Sequence, residues 1–263
     1  MIPLNGAWHF IMFFIAMLQQ GSLLRKEYVP IIDPLLELNI QKFQTLYQNI
    51  GDSTITPDSA EAAFKALFLD FKELTRPQVA ECEEDLKKGY VFPVRGYSPR
   101  LSIGGRGRGY RPKDFNFFDS RIRKSHPAHD LFIRDRDNDG IDDVMCIHVD
   151  ILAYTSGLVL GIREDWTSAS QWRGGNYVWI YNPCLNALIY YAHFHTVDVK
   201  PGQWVKAGDI LGKMGRTGFN AQQPRSTTHL HFMYLNITKE GLPEPVNTYT
   251  QLLNSRVIDW WED

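Results

Sequence analysis

The sequence predicts an α+β protein in which a small helical region precedes a mainly antiparallel β domain. Two observations predict it. Up to Gly89, apolar residues recur at three- and four-residue spacing behind recognisable capping residues. From Tyr90 the texture changes to VFPVRGY, VDILAYTSGLVLGI, NYVWIYN and ALIYYAHF. These runs are rich in β-branched and aromatic residues, and Gly, Asn and Pro separate them.

The first segment is expected to be an address rather than part of the fold. Residues 7–18 are apolar apart from His9. A membrane-spanning helix needs about 20 apolar residues, so this run is short for one. It fits the apolar region of a secretory signal, although no Lys or Arg precedes it and no A-x-A site is obvious. No cysteine follows it to support a lipoprotein signal. Residues 1–20 are therefore expected to be a signal peptide or membrane anchor. The protein is then exported, periplasmic or associated with the cell envelope, and any membrane association runs through this segment.

Residues 21–89 form the helical region. Asp33 and Pro34 read as N-cap and first turn, and Leu36, Ile40, Phe43, Tyr47 and Ile50 follow at helical spacing until Gly51. Thr56, Pro57 and Asp58 start a second helix with the stripe Phe64, Leu67, Phe68, Phe71 and Leu74. Pro77 is expected to open a third, ending with Lys87 and Lys88 before Gly89, where cations suit the helix dipole. No titratable cluster lies on these stripes, so they read as packing faces. The β domain covers residues 90–240. Within it VKPGQWVKAGDILGKMG repeats a V-x-x-G beat of tight turns between short strands. Residues 241–263 form a tail, and PVNTYTQLL spans one short helix.

Composition is that of an ordinary globular protein: 263 residues, 44% hydrophobic and 22% charged. A net charge of −2 gives no global field for nucleic acid, which is not expected as a partner. The local basic stretches GGRGRGYRPK and RIRK read as loops beside a groove, facing substrate carboxylates. Cys82, Cys146 and Cys184 form no C-x-x-C pair, so neither a cysteine zinc ribbon nor a dithiol redox motif is supported. One bridge and one free thiol are compatible with the count. Nothing in the sequence sets the oligomeric state.

The chemistry lies in the histidines. In THLHFMYL, His229 and His231 are two apart and share one face of a strand, while Leu230 and Phe232 take the other. In HPAHDLFIRD, His126 and Asp130 share a face if the segment is a strand, with His129 opposite; a bulge would exchange the two histidines. Two imidazoles, one carboxylate and a water form the ligand set of a catalytic zinc ion. A third segment, YYAHFHTV, ends an apolar strand on His193. No H-E-x-x-H is present to supply a glutamate base, and a histidine is suited to that work near neutrality. His195 reads as a surface residue, and His9 and His148 as structural.

The ordered motifs HxxxD, YAH and HLHF, joined by GGNYVWIY and VKPGQWVKAGDILGKMGRTG, resemble the lysostaphin-like, or LytM-type, zinc metallopeptidases. The resemblance runs from about Tyr90 to Leu235. It implies a LytM-like fold, with Zn2+ held by His126, Asp130 and His231. It implies catalytic roles for His193 and His229, as proton acceptor and oxyanion donor in an order left open. It implies a peptide substrate in peptidoglycan, in stem peptides or cross-bridges. This chain departs from the family in HPAHD, where a glycine is common, so His129 competes with His126. A non-catalytic domain that binds or regulates a cell-wall hydrolase is the alternative, and the five intact positions favour the enzyme.

DRDNDGIDD matches the start of a calcium loop, with Asp135, Asp137 and Asp139 as ligands. Cys146 stands where an EF-hand places its bidentate glutamate. The other reading is an acidic turn between strands. Tyr177, Tyr190 and Tyr191 are candidates either for the groove wall or for the core.

Overall fold

The computed structural model describes residues 33–122 and 124–262. The signal or anchor expected at residues 1–20 lies outside them. No helix among the described residues is long and apolar enough to cross a membrane.

Helix α1 spans Pro34–Gly51 and α2 spans Pro57–Leu74. The caps are those the sequence announces. Asp33 accepts from the Leu35 N–H, Thr56 accepts from the Ser59 N–H, and a proline follows each cap. The third helix differs from expectation. A 3-10 turn at Arg76–Gln78 comes first, and α3 occupies Val79–Leu86. Pro77 lies inside that turn, where its missing N–H costs nothing. Short helices follow at Pro99–Ser102 (α4) and Tyr249–Leu253 (α5).

Among the described residues, nine strands form one antiparallel sheet. They are β1 His129–Phe132, β2 Asp150–Leu152, β3 Gly157–Arg163, β4 Asn176–Asn182, β5 Ala187–Val197, β6 Trp204–Val205, β7 Ile210–Met214, β8 His229–Ile237 and β9 Pro243–Pro245. The main path runs β1-β8-β5-β4-β3-β6, with β7 joining β5 to β2 and β9 pairing with β8.

Alternation assigns the two faces. Leu230, Phe232, Tyr191, Ile189, Val178 and Ile180 point into the main core. Tyr191 is therefore a core residue and not part of a groove wall. The opposite face presents His229 and His231, then Tyr190, Tyr177, Trp179 and Tyr181. Beyond the histidines the helices cover this face. Tyr47 stands 5.3 Å from the rings of both Tyr177 and Trp179, and Phe68 stands 5.4 Å from Tyr181. Phe43 reaches Trp179 at 6.4 Å and is 1% exposed. Each fully buried ring of this kind contributes about 2–3 kcal/mol from area alone.

Cys82 on α3 is bridged to Cys184 in the β4–β5 turn, and Cys146 is free and exposed. The disulfide fastens the helical layer to the sheet across 102 residues.

Candidate metal centre

Antiparallel pairing of β1 with β8 sets Asp130 opposite His231, and pairing of β8 with β5 sets His231 opposite Ala192. His126 does not lie on a regular strand as expected, because β1 begins only at His129. It forms an isolated bridge with Arg111, with both backbone hydrogen bonds at 2.7 Å, and still faces Asp130. His129 is on the far side. Its Nε2 lies 3.1 Å from the Asn247 Oδ1, and its ring stacks with Tyr110 at 5.6 Å. That arrangement removes it from the cluster.

Three imidazole nitrogens converge on one oxygen. Asp130 Oδ1 is 3.1 Å from His231 Nδ1, 3.3 Å from His126 Nε2 and 3.7 Å from His229 Nε2. His126, Asp130 and His231 form a group able to share an ion. Burial alone would raise the Asp130 pKa, but hydrogen bonds from His126 and His231 and the neighbouring histidine charges hold its carboxyl far below the usual range. Burial also opposes charge on His126, yet Asp130 and the Gly109 carbonyl outweigh it and raise that pKa. Burial lowers the pKa of His231.

The opposite ring nitrogens are fixed by backbone carbonyls. Nδ1 of His126 lies 2.9 Å from the Gly109 oxygen, Nδ1 of His229 lies 2.6 Å from that of Thr227, and Nδ1 of His193 lies 2.7 Å from that of Thr217. A carbonyl only accepts, so each Nδ1 carries a proton, and it is Nε2 that loses its proton when a ring is neutral. This is the outer support that metal-binding and proton-accepting imidazoles need. The donor set of two nitrogens and one carboxylate suits zinc with a position left for water, and there is no thiolate to close the site.

His193 arrives by a route that parity does not give. Ala192 already faces the site, so the next residue on a regular strand would face the core. The pairing of β4 with β5 shifts between Asn176 and Tyr177, which skips His193. Its φ is +75°, and its N–H donates to the Gly174 carbonyl at 3.0 Å. This bulge brings the ring to 4.9 Å from His229 and 5.9 Å from His231. Burial first, then the neighbouring His229 and His231 charges, push the His193 pKa well down.

Several supporting residues carry no motif. Tyr190 packs edge-on to His231 at 6.2 Å. Arg216 donates to Asn138 Oδ1, to the Ser226 and Gln223 carbonyls and to the Thr228 hydroxyl, which in turn donates to Asp135. This network braces the turn that delivers His229. It also explains the acidic loop. Asp135 already accepts from the N–H groups of Asp139 and Gly140 as well as from Thr228, and Asp139 accepts from the Ile141 N–H. The carboxylates that gather there are Asp135, Asp137 and Asp143, without the expected Asp139. The loop is a hydrogen-bonded brace for the histidine turn, and calcium has no support. His195 is exposed and stacks on His148 at 3.9 Å.

Residues 136–243 match the model of Peptidase family M23. The β domain is thus similar to that family over most of its length. Lysostaphin from Staphylococcus simulans is 32% identical over 93 residues, which are 35% of this chain and 17% of that protein. The chain thus matches only about a sixth of this curated relative's length. The crystallised catalytic domain of lysostaphin from the same organism aligns at 24% identity, over 59% of this chain and 94% of that one, with a TM-score of 0.38. A zinc containing peptidase from Vibrio cholerae aligns at 20% identity, over 62% and 41% of the two chains, with a TM-score of 0.35.

Proposed function

We propose that the chain is a zinc-dependent endopeptidase that hydrolyses peptide bonds of peptidoglycan. The observation that carries this reading is the convergence of three imidazole nitrogens on Asp130 Oδ1. The M23 match over residues 136–243 supports it. His126, Asp130 and His231 would hold the ion. When bound, zinc supplies Lewis acidity toward water and a carbonyl oxygen.

The remaining work falls to side chains already in place. His193 is assigned as the proton acceptor. Burial keeps it neutral, and its Nδ1 is committed to the Thr217 carbonyl, so its free nitrogen is Nε2. His229 stands nearer Asp130 and, once protonated, donates a hydrogen bond to the carbonyl oxygen that gains charge. Tyr190 shields the inner side of His231 from water. Export is part of the same proposal, because a disulfide between Cys82 and Cys184 persists in oxidising compartments.

The test is a digest of purified peptidoglycan, with and without chelator, read by mass spectrometry for new amino termini. Chelator-sensitive cleavage is expected. Stoichiometric zinc with no cleavage of any peptide would overturn the enzymatic reading and leave a binding role.

A further inference from the structure

We propose that the loop from Arg106 to Lys113 is an anion-binding wall of the groove, and that the substrate peptide carries a carboxylate on the His126 side of the cleaved bond. This rests on the peptidase reading and adds to it the charge of the substrate. Residues 95–124 contain nine Lys and Arg against two Asp, in a chain whose net charge is −2. Two of those cations are neutralised locally, Arg95 by Asp150 and Arg121 by Asp119. Arg106, Arg108, Arg111 and Lys113 are exposed, and none has a carboxylate in ion-pair range among the described residues. Arg108 only touches the Gly105 carbonyl through its Nε.

The loop is tied to the metal-site residues at both ends. At one end, a Cβ on Gly104 would lie 3.2 Å from the Asp130 carbonyl and 2.5 Å from the Phe132 ring. At the other, the Gly109 carbonyl holds His126 Nδ1, and the Arg111 backbone pairs with that of His126. The charges therefore stand beside the cluster rather than elsewhere on the surface. Two other sides are bounded by packed residues. Past His231 the sheet face is covered by Tyr47 and its neighbours. Behind His193, the Phe219 N–H donates to the Trp172 carbonyl at 3.0 Å and joins the two loops there. A peptide crossing the cluster has the basic loop as its open flank. Exposed guanidinium groups without a partner bind carboxylates through paired N–H donors, and the attraction weakens with salt.

The experiment uses the zinc-loaded chain and one purified peptidoglycan fragment, with its carboxyl groups either free or converted to amides. Amidation is expected to lower kcat/KM about tenfold, mainly through KM, and added salt should shrink that ratio. Amidation leaves phosphate groups intact, so a preference that survives it would indicate phosphate recognition and overturn the proposal. In the triple variant Arg106→Gln, Arg108→Gln, Arg111→Gln the ratio should fall toward one with zinc content retained. Equal cleavage of both fragments by the parent chain would sink the idea without any variant, as would an undiminished ratio in the variant. If neither fragment is cleaved with zinc in place, the peptidase reading fails separately. Calorimetric binding of the free and amidated fragments then decides the loop's role: tighter binding of the free fragment supports it, and equal binding refutes it.

Discussion

The Thr217 carbonyl accepts the Nδ1 proton of His193 at 2.7 Å, while the Thr217 hydroxyl donates to the Phe194 carbonyl and accepts from the Asn176 N–H. One threonine thus locks the ring, the bulge and the facing strand together. The backbone of His193 is left at φ +75°, a region that side chains with a Cβ occupy at a cost. His193→Gly and His193→Ala both lose the imidazole, but only glycine relieves the backbone. The glycine variant should be the more stable by roughly 1 kcal/mol. Urea unfolding of the pair measures it. An alanine variant equal or superior in stability would refute the strained bulge.

His231 and His229 divide their labour in the proposed site. His231→Ala is expected to lose stoichiometric zinc. His229→Ala should keep zinc and lose turnover by about 100- to 1,000-fold, the size of a general acid–base or oxyanion contribution. Metal analysis and peptide cleavage on the same preparations check both. Zinc retained in His231→Ala would require another ligand.

Acid should release the metal. Imidazole ligates only when neutral, so protons compete with zinc as pH falls through the histidine range, near 6.5 for a free side chain. The Asp130 carboxyl is held well below its ordinary range and stays ionised throughout that window. Loss should therefore follow the imidazoles and not the carboxylate, with affinity falling as pH decreases. Zinc retained well below pH 5 at micromolar concentrations would count against an imidazole site.

Phe43 anchors the helical layer, 1% exposed and in ring contact with Phe68, Phe71 and Trp179. Phe43→Ala should cost about 3–5 kcal/mol. Because Tyr47 and Tyr190 link that layer to His231, activity should fall at temperatures where the variant is still folded. Thermal melts beside assays at low temperature separate the two effects, and a loss under 1 kcal/mol would show that the helices barely depend on this contact.

Breaking the covalent tie is the complementary test. Cys82→Ala with Cys184→Ala removes a closure across 102 residues and should cost about 2–5 kcal/mol. Reductant should lower the melting temperature of the parent chain and leave the double variant unmoved. Equal sensitivity to reductant in both would place the effect elsewhere.

Much of this was legible in the chain. Asp33-Pro34 and Thr56-Pro57 announce their helices because capping is local chemistry. The histidines of HLH share a face because strand parity is simple, and Asp130 joins them through the pairing of β1 with β8. His193 stands out in the sequence through its motif alone, since parity sends it the wrong way and only the bulge brings its ring to His229. The supports were not legible. Arg216 reaches four residues brought together by folding, and Thr217 works through its carbonyl, which every residue has. The acidic loop is a related case. Asp135 carries the spacing of an ion ligand, but its hydrogen bonds go to Thr228 and to backbone N–H groups, and Thr228 is distant in sequence.

The aromatic roof over β4 and β5 decides how portable the β domain is. A cut before Tyr90 would follow the change in sequence texture, yet it would strip Phe43, Tyr47, Phe68 and Phe71 from a sheet whose exposed replacements would be Tyr177, Trp179, Tyr181 and Tyr190. It would also orphan Cys184. A greasy, adhesive plane would then adjoin the histidines. Anyone grafting the β domain onto another protein should carry the chain from Asp33 onward as a single cassette.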